Sequence, residues 1–306
     1  DRKLSPEDVL AIEAVLRLLA ALFRQDQSYL ERFNEMPELR EAYFPDRQDK
    51  QDQENKFLIC FVNNIFAFVL SAVPTTLKAE SLNCLSSLRV NLWRILGESI
   101  LTQSMVEESL KPNVDFENFK TGVIGDIFTI ELKSKVFNIP TAFCNLLASL
   151  LLNKDFAPDN NNFVHYHRFI HEIILNNCFK WDFDYPGIKW KLIRAICTVY
   201  INLLNRNDWI DLATPLFTTA LTNPYFINTF STLANDPTCP VEVLMAIYKL
   251  FLLLLWKEND FLKKSLQSNN SQSPAIVKNI LRRESGLIKM LHCTLSHFKN
   301  LQIIAL

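Results

Sequence analysis

The stretch IKWKLIRAICTVYINLLN, Ile188 to Asn205, decides how the rest of the chain is read. Ile188, Leu192, Ile196, Val199 and Leu203 recur at helical spacing, and Ile193, Cys197, Tyr200 and Leu204 broaden the stripe. Lys191, Arg194, Thr198, Asn202 and Asn205 fall on the other side. Burying about eight such side chains at ~1.5–3 kcal/mol each releases on the order of 10–20 kcal/mol gross, an upper bound against an extended chain. One helix cannot collect that alone, so the stripe predicts helical neighbours on both flanks.

Working outward, the flanking sequence supplies them. Ser5-Pro6-Glu7-Asp8 is a helix start, with Ser5 as cap, Pro6 in the first turn and Asp8 closing a box. Val9, Ile12, Leu16, Leu19 and Phe23 then face one way, while Glu13, Arg17 and Arg24 are expected on the solvent side, Glu13 and Arg17 at a favourable i, i+4 spacing. Residues 46–55, DRQDKQDQEN, carry no apolar side chain and read as a solvated loop. Helices are expected at 56–72, 75–90 and 92–110, then at 140–153, 163–178, 209–222, 225–234, 240–256, 260–267 and 285–301. Residues 111–135 and 268–273 read as connectors. About a dozen short-connected helices without a long linker predict an all-α fold, a HEAT- or armadillo-like solenoid of antiparallel helix pairs. It is expected to run as one segment over residues 1–306, as part of a longer chain.

Composition narrows the function classes. Only five glycines occur, against roughly twenty for an average chain of this length, which disfavours glycine-dependent nucleotide-binding folds. A net charge of −1 offers no broad basic field for nucleic acid, so no direct nucleic-acid partner is expected. The seven cysteines are odd in number and never form a C-x-x-C pair, which suits a reducing compartment. The apolar runs 57–73 and 244–256 are interrupted by Asn63-Asn64 and Lys249, so neither is expected to span a membrane.

The search for chemistry returns little. His165, His167 and His171 form the one metal-like cluster, with His167 and His171 four apart on a helical face. H-E-x-x-H is absent and no strong fourth ligand stands nearby, so no metal, no other cofactor and no catalytic residue is assigned. Gly122-x-x-Gly125 lacks a following basic helix and reads as a connector, and Lys278, Arg282 and Arg283 read as a solvated helix end. In the connector WDFDYPG, Trp181, Phe183 and Tyr185 alternate with two acids beside a proline-glycine turn. These three aromatics are the candidate partner-binding residues, because aromatic side chains are enriched at binding hot spots; packing against the adjacent helices is the competing role.

The runs ELKSKVFNIPTAFCNLLASLLLN (131–153) and VPTTLKAESLNCLSSL (73–88), the pair Lys189-Trp190 and the ending VYINLL (199–204) together carry a family likeness. Over residues 73–204 the chain resembles the central region of the giant inner-ring scaffold nucleoporins. The resemblance implies a non-enzymatic α-solenoid of the nuclear pore complex in the nuclear envelope, one that binds short segments of inner-ring and adaptor nucleoporins and supports nucleocytoplasmic transport. It maps no partner-binding residue onto a particular position. A karyopherin-like transport receptor, binding cargo and a small GTPase, is the alternative; the near-neutral charge favours the scaffold.

Overall fold

The computed structural model describes residues 4–26, 28–29, 32, 50–71, 73–88, 90–96, 138–153, 156, 167, 169–175, 178, 183, 185–208 and 224–267. Their regular structure is entirely helical, with no strand among the described residues. The elements are α1 (Pro6–Gln25), α2 (Lys50–Leu70), α3 (Thr75–Ser87), α4 (Leu92–Leu96), α5 (Asn138–Leu150), a π-helical stretch (Phe169–Leu175), α6 (Pro186–Asn205), α7 (Pro224–Ala234) and α8 (Val241–Gln267). The helices expected at 209–222 and 285–301, the Gly122–Gly125 connector and the basic group at Lys278, Arg282 and Arg283 lie outside the described residues.

Two expected boundaries are corrected. The polar run placed in a loop is helical from Lys50, because its Lys, Gln and Glu residues have good helix propensity and extend an apolar helix already nucleated downstream. The two helices expected at 240–256 and 260–267 are one continuous α8, since no glycine or proline interrupts Lys257-Glu258-Asn259-Asp260.

The chain gathers into two compact units, residues 1–157 with 182–184, and residues 158–181 with 185–306. In the first, α3 is central and packs on α1, α2 and α5. Leu77, Leu82, Cys84 and Leu85 of α3 and Phe143, Cys144, Leu146 and Leu147 of α5 are fully buried, so α3 is walled in by apolar faces. Phe23 meets Phe61 edge-on at 6.3 Å, and Trp93 meets Phe156 edge-on at 5.0 Å.

At the start of α1, Ser5 Oγ accepts from the Asp8 N–H at 3.1 Å while the Ser5 N–H donates to the Asp8 carboxylate at 3.0 Å, the reciprocal box the sequence predicts. The expectation for Glu13 is corrected: it is buried, not solvated. Its carboxylate accepts from Thr76 Oγ1 of α3 at 2.5 Å and pairs with Arg17 at 3.4 Å, and Arg17 reaches on to Glu80 of α3 at 2.9 Å. A carboxylate can be buried here because the Thr76 hydroxyl and the Arg17 guanidinium both donate to it.

In the second unit α6 packs against α8, and α7 against α8. All nine apolar positions of the α6 stripe are buried, and Lys191, Arg194 and Asn205 are exposed, as the spacing predicts. Lys189 ties the start of α6 to the turn between α7 and α8 through Asp236 at 2.9 Å, and its ammonium lies 4.5 Å from the Trp190 ring centre. Burial would raise the Asp236 pKa, but hydrogen bonds from Thr238 and Lys189 outweigh it and hold the carboxyl at about 2. The Arg194–Glu242 pair at 2.8 Å is exposed on both sides and adds little.

The six described cysteines are all free thiols, and Cys84, Cys144, Cys178 and Cys197 are buried. Burial drives all four pKa values up, to about 12 for Cys84 and Cys178, so these thiols are inert packing groups. Among the described thiols, native iodoacetamide labelling near neutral pH is expected to modify Cys60 first and Cys239 more slowly, since burial raises Cys239 to about 11. The four buried thiols should react only after unfolding. Rapid modification of Cys144 or Cys197 in the folded protein would contradict this packing.

Candidate functional site

Of the three aromatics proposed for partner binding, Trp181 lies outside the described residues. Phe183 is half-buried and belongs to the first unit, and Tyr185 belongs to the second. Tyr185 is the residue that precedes α6: its backbone is extended, with φ −150° and ψ 151°, and its carbonyl accepts from the Ile188 N–H at 3.1 Å. Pro186 then suits the first helical turn, where a missing N–H costs nothing. The Tyr185 ring folds back over that turn, and a Cβ at position 187 would stand 2.7 Å from its Cε2, which is why glycine fits there. Tyr185 nonetheless remains 51% exposed, an amphipathic ring on the surface of the second unit.

The histidines take a different place. His165 lies outside the described residues, while His167 and His171 stack face to face, ring centres 5.4 Å apart and planes within 10°. His167 is buried, and its Nδ1 shares a 2.8 Å hydrogen bond with the Tyr200 hydroxyl of α6. Phe226 of α7 touches the group from its other side, 6.0 Å from His167, 5.6 Å from His171 and 5.1 Å from Tyr200. The column continues through Phe230 at 5.0 Å to Phe251 of α8 at 6.4 Å. Burial, reinforced by His171, lowers the His167 pKa to about 3, so the ring is neutral at physiological pH.

This arrangement ties His167 and the π-helical stretch that follows it to α6, α7 and α8 through aromatic contacts and one buried hydrogen bond. The Nδ1 of His167 is engaged by Tyr200, and among the described residues there is no group of three His, Cys, Asp or Glu side chains able to hold a metal ion. Sequence spacing found the histidine pair but not Tyr200 or Phe226, which arrive from helices far along the chain. The pair Lys189-Trp190, part of the family likeness, is likewise structural, with Trp190 buried and Lys189 ion-paired.

The chain matches no family model and no curated protein sequence. Among the described residues no helix is long and apolar enough to cross a membrane.

Proposed function

We propose that this chain is a helical scaffold segment of the nuclear pore inner ring, a solenoid that binds segments of other nucleoporins and carries out no catalysis. The observation that supports the reading is the behaviour of the stretch that bears the likeness. The described parts of its three signature runs include α3, α5 and the end of α6, and most of the apolar positions on these helices are buried. The likeness therefore rests on fold-determining residues, as befits a scaffold whose function is to hold shape and present surface. The all-helical architecture fits the scaffold and the transport-receptor alternative alike, and the near-neutral charge favours the scaffold. In this reading the protein works at the nuclear envelope, and Trp181, Phe183 and Tyr185 contribute to partner capture.

Affinity capture from nuclear-envelope extract tests both parts at once. With the intact chain as bait, inner-ring and adaptor nucleoporins are expected at moderate salt. Replacing Trp181, Phe183 and Tyr185 together by alanine should leave helicity intact and reduce that recovery by about tenfold, the effect of losing one aromatic hot spot. Recovery of a GTP-bound transport GTPase with soluble cargo, and no pore components, would favour the receptor reading. Undiminished recovery with the triple variant would remove these aromatics from the binding surface.

A further inference from the structure

Helix α3 begins without a side-chain cap. Its N-cap residue is Pro74, which makes no side-chain hydrogen bond, and its first turn holds no acidic residue. The Lys78 N–H donates to the Pro74 carbonyl at 3.2 Å, the first bond of the helix. The N–H groups of Thr75, Thr76 and Leu77 stand ahead of it, without a partner among the described residues. Pro74 is exposed and Thr75 and Thr76 are half-buried, so this helix end is reached from solvent.

An uncapped helix start is common and says nothing by itself. Lys78 distinguishes this one. It is only 8% exposed, and its ammonium has neither an ion pair nor a hydrogen bond among the described residues. Helical side chains tilt toward the N-terminus, so Lys78 leans back over Pro74 and Thr75, into the turn that carries the free N–H groups. Burial, with no carboxylate beside it, pulls its pKa below the ordinary lysine value. A buried ammonium calls for an anion, and none of the described residues supplies one. Glu13 does not fill that role, because its carboxylate is engaged by Thr76 Oγ1 and Arg17. Thr76 and Lys78 lie about 160° apart around the helix, so the two charges serve opposite sides of the turn.

We propose that the start of α3 binds a phosphate-type oxyanion, held by the Lys78 ammonium, the N–H groups of Thr75, Thr76 and Leu77, and the Thr75 hydroxyl. This set offers more donors than a carboxylate accepts, and it suits a tetrahedral dianion. The positive end of the α3 dipole adds to the attraction. The shared chemistry is the phosphate group, whether free or carried as a monoester.

Isothermal titration of the intact chain with inorganic phosphate, at an ionic strength held constant with chloride, tests the site. One saturable site with a Kd of about 1 mM or tighter is expected. Lys78→Met keeps the buried stem and removes the charge, so it should weaken binding at least about tenfold while helical circular dichroism is unchanged. Pro74→Asp places a capping carboxylate on the same N–H groups and should also weaken binding with Lys78 intact, which serves if the first variant does not fold. Lys191→Met, on the exposed side of α6, should bind as wild type does. Phenyl phosphate binding as tightly as inorganic phosphate would assign the site to a monoester, and binding of inorganic phosphate alone would assign it to the free ion; either upholds the proposal. No saturable binding up to about 20 mM phosphate, or wild-type affinity in a folded Lys78→Met or in Pro74→Asp, overturns it.

Discussion

Phe226→Ala is expected to destabilise the second unit by about 3–5 kcal/mol, the usual cost of deleting a buried aromatic ring. Phe226 is fully buried and makes ring contacts with His167, His171, Tyr200 and Phe230 at once. Each edge contact contributes ~0.5–1.5 kcal/mol beyond area burial, and a void at their common centre leaves several rings without a neighbour. Hydrogen exchange of the α6 amides is the measurement, because it reads the opening of this unit separately from the first. Phe226→Leu, which refills most of the volume, should lose much less. A loss below about 1 kcal/mol for the alanine variant would show that Phe226 is not the keystone of this cluster.

The second large effect is acid destabilisation centred on His167. Its folded pKa is depressed to about 3 from an ordinary 6.5, so between these values the unfolded chain binds a proton that the folded chain refuses. Stability from this group is complete above pH 6.5 and falls as the pH drops through that window, by ~1.4 kcal/mol per unit. Taking the protein from pH 7 to pH 4 should therefore cost the second unit about 3 kcal/mol. Asp236 adds its own loss only below its ordinary value of 3.8, down to about 2, so the two effects separate along the pH axis. Urea midpoints across pH 4–7 follow the first. His167→Gln, which keeps a hydrogen-bonding group beside the Tyr200 hydroxyl and does not titrate, should flatten the slope in this window. An unchanged slope in that variant would assign the acid sensitivity to other groups.

The fold was legible where one helix decides its own burial. The α6 stripe, the Ser5–Asp8 box and the outward lysine and arginine of α6 follow from spacing alone. Glu13 was not legible, because the Thr76 hydroxyl that donates to its carboxylate stands on α3, more than sixty residues away, and periodicity records only neighbours on the same helix, such as Arg17. The start of α2 was missed for another reason: a run without apolar residues looks like loop, although a helix propagates through such residues once it has nucleated. For the histidines, spacing showed two rings on one face, and only the tertiary structure shows that Tyr200 and Phe226 close over them. The connector aromatics stand between these cases. Tyr185 is exposed as a contact residue must be, yet its alternation with Phe183 did not reveal that the two belong to different units.

The central position of α3 has a kinetic consequence. Its contacts with α2 are local in sequence, whereas those with α1, which ends at Gln25, and with α5, which begins at Asn138, both close long stretches of chain. Loop-closure entropy is charged before distant contacts return anything, so the α2–α3 pair should assemble early and the docking of α1 and α5 should set the pace. Until α5 arrives, the face of α3 that holds Asn83 against Asn145 stands open to solvent. That waiting intermediate, rather than the finished molecule, is where the first unit is most exposed to misassembly.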